Sequence, residues 1–70
     1  MKYVRTNALA EIKVGRIFIS KENNSYVYLV KEILNGGIMA SPIGEFGESE
    51  EVYIGGFELA RLLHAVILVQ

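Results

Sequence analysis

"YVYLVKEILNGGIMASPI", residues 26–43, decides the fold. Its first half is a β-branched and aromatic run through Leu34. Asn35–Gly36 follows, among the strongest short-range hairpin signals, because the two central positions of a tight turn want positive φ. Ile38 to Ile43 then reads as the returning strand. Pro42 has no amide donor, so it marks an edge, a bulge or the end of that strand. Lys31–Glu32 interrupts the apolar alternation and predicts a bulge or bend at that point.

Toward the N-terminus, "RIFIS" (16–20) alternates, with Ile17 and Ile19 on one face and Arg16, Phe18 and Ser20 on the other. The expectation is that the two isoleucines face the core. "KENNS" (21–25) reads as a polar turn. "MKYVRTNALAEIK" (1–13) admits a short strand at Tyr3–Val4, or one or two helical turns through Ala8–Leu9–Ala10–Glu11 capped by Thr6 or Asn7. Neither cap candidate has Glu or Gln three residues on, so the capping box is missing. A short helix is the expectation for this segment.

Toward the C-terminus, "GEFGESEE" (44–51) is a glycine-and-glutamate loop and "VYI" (52–54) a short strand. Gly55–Gly56 breaks the chain before "FELARLLH" (57–64). At helical spacing Leu59, Ala60, Leu62 and Leu63 share one side, with Glu58, Arg61 and His64 on the other. "AVILVQ" (65–70) is β-branched and favours a strand, although a short apolar run does not separate strand from buried helix by period alone.

The fold class is therefore mainly β (β-rich α+β): a five-stranded small barrel in one domain over residues 1–70, with a short N-terminal helix and a short helix before the last strand. That layout resembles the SH3-like small barrels, and Sm-like proteins add an N-terminal helix at similar length. The resemblance is one of layout and carries over no site residue. It implies that the last strand pairs beside the first and is covered on both faces, which accounts for an apolar run without alternation.

Composition narrows the function classes. A 70-residue chain buries only about 60% of its unfolded surface, so small scaffolds lean on disulfides, metals or oligomerisation. With no cysteine and one histidine, disulfides and Cys- or His-rich zinc sites are excluded. Half the residues are hydrophobic (51%) and the mean hydropathy is +0.31, high enough to suggest a face buried by self-association or by another protein. Seven Lys plus Arg against eight Asp plus Glu give a net charge of −1. The basic residues are scattered singly, which disfavours nonspecific nucleic-acid binding. No apolar run reaches the ~18 residues of a membrane span, and no signal-peptide pattern opens the chain. A cytoplasmic location and no membrane association are the expectations.

Few residues invite chemistry. His64 has no nucleophile or orienting carboxylate in a recognisable pattern, so the expectation is no enzyme. Glu45, Glu48, Glu50 and Glu51 form an acidic loop. With no Asp in the chain it is no calcium loop, so it reads as either a solvated edge-protecting loop or a knob for a protein partner. The glycines match no phosphate-binding pattern, and no metal or other cofactor is expected.

The second sheet face is the most informative feature. If Ile17 and Ile19 face inward, Phe18, Tyr26, Tyr28, Val30 and Tyr53 are candidates for an outer aromatic interface, unless an N-terminal segment or helix covers it as a second core. The resulting expectation is a non-enzymatic protein-binding module, a homo-oligomeric inhibitor or adaptor that occludes a larger protein, a job common among small phage and mobile-element proteins. Two alternatives accompany it. One is a barrel that stacks single-stranded RNA on its aromatics near Arg16 and Lys31. The other is a small-molecule sponge or sensor with a pocket between protomers.

Overall fold

The computed structural model describes residues 3–6, 8–21 and 26–69. The polar turn expected at 21–25 and the Asn7 cap fall largely or wholly outside them. The elements in chain order are β1 (Tyr3–Thr6), a 3-10 turn (Leu9–Glu11), β2 (Ile17–Ser20), β3 (Val27–Leu34), β4 (Gly37–Gly44), β5 (Gly47–Glu48), β6 (Val52–Gly55), α1 (Gly56–Leu62) and β7 (Leu63–Val69). The protein is mainly β, and all strand pairs are antiparallel. The order β1-β7-β2-β3-β4 ends on a shared edge, where β6 pairs with Gly37–Ala40 and β5 with Ile43–Gly44. Among the described residues no helix is long and apolar enough to cross a membrane.

The hairpin at residues 26–43 forms with Leu34 opposite Gly37, and Gly36 takes the positive φ (90°) that the turn needs. The register then slips between Val30 and Glu32, leaving Lys31 as the extra residue. That bulge has a clear cause. Before it, Tyr28 and Val30 point to the core. Strict alternation would bury Glu32, whereas the slip places Glu32 beside Met39 on the other face and returns Ile33 to the row of buried Ile38 and Ile54.

The N-terminal segment is a strand first and a helix only briefly. Tyr3–Thr6 pairs with Val66–Val69, and the expected helix shrinks to a single 3-10 turn. Thr6 Oγ1 accepts from the Ala8 amide at 3.2 Å, a local turn bond that stops short of capping the helix. Arg16 Nη1 donates to the Glu11 carbonyl at 3.0 Å and to its carboxylate, fixing the turn beside the start of β2.

At the other end, α1 passes into β7 without a loop: Leu63 already has strand dihedrals (φ −67°, ψ 119°). His64 therefore lies on a strand rather than on the polar side of the helix. Val66 and Ile67 are flanked by β1 on one side and β2 on the other. This explains the apolar C-terminal run, and it explains why no closing pair occurs among the described residues. With both edges of β7 occupied, β6 has nowhere to join it, and the sheet stays open.

Candidate functional site: the uncovered face of the sheet

The register assigns each strand residue to a face. Phe18 stands opposite both Tyr28 and Val66, and Val30 opposite Ala40. These side chains join Ile38, Ile54, Leu59, Leu62 and Leu63 in one core, with Ile12 from the segment after the 3-10 turn. Phe18 is 0% exposed, and its ring stacks on Tyr28 at 5.1 Å between centroids with planes 15° apart. Both α1 and the 3-10 segment thus pack on this side.

The expected facing of β2 is reversed. Phe18 and Val30, expected on an outer aromatic interface, are core, and Tyr28 is half-buried against that core. Size decides it. Both faces of β2 are apolar, and turning Phe18 inward removes more apolar surface than turning in either isoleucine. Tyr26 and Tyr53 stay exposed, so the five candidates do not form one patch. Tyr53 also has a structural duty: its hydroxyl donates to the Gly36 carbonyl at 3.2 Å, and its ring lies over Gly37.

The opposite face is where apolar surface remains. Two rows cross β7, β2, β3 and β4: Ile67–Ile17–Leu29–Ser41 and Ala65–Ile19–Val27–Ile43. Met39 continues it toward Tyr53 on β6. Ala65 and Ser41 are buried, whereas Ile17, Ile19, Val27, Leu29, Met39, Ile43 and Ile67 are each partly exposed. None of these residues is charged, and no described element lies across them. At about 4.8 Å between strands and 3.4 Å per residue, the three residues that the two rows cover on each of four strands span roughly 200 Å². A sign of it was present in the sequence: "YVYLV" is apolar or aromatic on both faces, and "RIFIS" sets Phe18 against Ile17 and Ile19, one apolar face more than a single core needs.

Charged residues border this face by register: Glu32 beside Met39, Arg5 beside Ile67 and Glu48 beside Ile43. Lys31 Nζ donates to Glu48 Oε1 at 2.9 Å. The Glu48 hydrogen bond and charge, with Glu51 further off, raise the Lys31 pKa above its ordinary 10.5, against a smaller opposing effect of desolvation. Glu45, Glu50 and Glu51 are exposed, and Glu45 lies in the β4–β5 turn. The expected loop is in part a miniature hairpin: β5 pairs with Ile43–Gly44, and the Ser49 amide donates to the Pro42 carbonyl at 2.8 Å. His64 is exposed. Among the described residues no three His, Cys, Asp or Glu side chains gather where a metal ion would sit. Comparison of the chain with protein-family models, curated proteins and solved structures finds no match.

Proposed function

We propose that the protein is a non-enzymatic binding module that assembles with copies of itself through the uncovered sheet face and acts as an adaptor or inhibitor of a larger protein. One observation carries the reading: a contiguous, partly exposed apolar face on β7-β2-β3-β4, with charged residues only at its margins, opposite the main core. A face whose centre carries no charge is compatible with itself, since two-fold pairing about that centre brings apolar side chains together. Two sheets stacked face to face sit about 10 Å apart and interdigitate such side chains. In this reading β2–β3–β4–β6, α1 and β7 are the parts of an SH3-like small barrel held open by β1.

The basic residues offered for RNA binding fit less well. Arg16 is engaged by Glu11 and Lys31 by Glu48, so meeting a phosphate would break an existing pair in each case.

The test is light scattering coupled to size exclusion across a concentration series, on the wild type and on Leu29→Lys. Lysine lays its stem along the apolar face while its ammonium stays in water, so the monomer keeps its fold. The expected wild-type mass is a multiple of 7.8 kDa, with Leu29→Lys at the chain mass and an unchanged circular dichroism spectrum. A wild type that remains at 7.8 kDa over the whole series overturns the proposal.

A further inference from the structure

Phe46 is 98% exposed, at the apex of the turn between β4 and β5. Leaving a phenylalanine in water forgoes the gain of burying one of the largest apolar side chains. Turn geometry does not call for it: Gly44 pairs with Gly47, and Gly47 supplies the positive φ (103°). Such positions ordinarily carry Asn, Asp, Ser or Gly. Among the described residues the ring belongs to no aromatic pair or core contact.

Its surroundings select the partner. Glu45 is the other turn residue, Glu48 lies on β5, and Glu50 and Glu51 follow in the exposed stretch before β6. Lys31 is the cation drawn to them, and its pair with Glu48 neutralises only one of the four carboxylates. The tip is therefore an apolar ring within a net negative field, felt over about 8 Å at physiological salt. Nucleic acid and anionic membrane carry the same sign and are repelled. We infer that the β4–β5 tip is a protein-docking knob, with Phe46 as its anchor, for a partner that presents an apolar pocket rimmed by Lys and Arg. The arrangement matches interface hot spots, in which one aromatic fills a desolvated pocket while charges at the rim set orientation and on-rate. This knob lies apart from the uncovered sheet face and does not depend on assembly through it.

Testing it begins with p-benzoylphenylalanine in place of Phe46, irradiated in lysate of the source cells. Each crosslinked protein is identified, purified and titrated against the wild type, Phe46→Ala and the double variant Glu50→Lys/Glu51→Lys, at low and high salt. The expected result is a heterologous partner whose affinity falls about 30-fold or more with Phe46→Ala, as a central hot spot would. Binding also weakens with salt and with the charge reversal, while Phe46→Ala melts and assembles like the wild type. The inference is overturned by any of four results: no crosslinked protein, crosslinks only to a second copy of this chain, a partner indifferent to Phe46→Ala, or a Phe46→Ala variant that has lost stability.

Discussion

Replacing Gly37 by alanine tests the joint that holds β6 and α1 to the hairpin. A Cβ at this position would lie 2.6 Å from the Ile54 carbonyl oxygen and from the Tyr53 hydroxyl, and 2.7 Å from Tyr53 Cζ. The tyrosine can swing away, but the carbonyl is part of the β4–β6 ladder, in which Gly37 faces Gly55 and Ile38 faces Ile54. Overpacking of this kind costs about 1–3 kcal/mol. Displacing Tyr53 also removes its hydrogen bond to Gly36, a loss of about 1 kcal/mol. The sum is about 2–4 kcal/mol, a large share of the roughly 3.5–10 kcal/mol expected of a domain this size. Unfolding entropy near 2.1 cal/mol/K per residue converts it to a fall in Tm of about 14–27 °C. The assay is thermal unfolding by circular dichroism at one fixed protein concentration, because assembly makes Tm concentration-dependent. Repeating the substitution in a Tyr53→Ala background separates ring from backbone: a penalty persists from the Ile54 carbonyl, reduced by about 1 kcal/mol. A Gly37→Ala protein within about 0.5 kcal/mol of wild type would refute the close approach of β4 and β6.

Two further perturbations probe the face assignment and the raised Lys31 titration. Phe18→Ala, which empties the centre of the core, costs about 3–5 kcal/mol in urea unfolding, and Ile17→Ala on the opposite face costs clearly less. A larger loss for Ile17→Ala would mean that the faces are assigned the wrong way round. Because the folded-state pKa of Lys31 is raised, its pairing contributes stability below lysine's ordinary 10.5 that is lost as pH rises through the folded value. The Tm gap between the wild type and Lys31→Met therefore narrows as pH climbs past 10.5, and a gap constant through that range contradicts the pairing.

The local grammar of this chain was legible and its long-range choices were not. Asn35–Gly36 marks the hairpin and Lys31–Glu32 marks the bulge, because turn chemistry and a charge pair interrupting an apolar run are visible in a few residues. The strand β7 was legible from Val66, Ile67 and Val69. Which face of β2 turns inward was not, since Ile17, Phe18 and Ile19 are all apolar and alternation is silent between two apolar faces. The consequence for the candidate surface was large: Phe18 and Val30 went to the core, and the partly exposed apolar face is that of Ile17, Ile19, Val27 and Leu29. Closure into a barrel was equally beyond local reading. It turned on β1 taking the second edge of β7, a pairing between residues about as far apart in sequence as this chain allows. Phe46 went unremarked for a plain reason: inside "GEFGESEE" a single aromatic reads as a residue awaiting cover, and only the turn geometry shows it uncovered.

The central claim is that the sheet face bearing Leu29 is covered by a second copy. Because the chain has no cysteine, a lone thiol can report on it directly. Leu29→Cys and Val14→Cys would each be labelled with a maleimide at rising protein concentration, with Val14, exposed in the turn before β2, as the reference. The account expects labelling at position 29 to slow as concentration rises and to recover on dilution, while position 14 reacts at one rate throughout. A Leu29→Cys thiol that reacts equally fast at every concentration would contradict it.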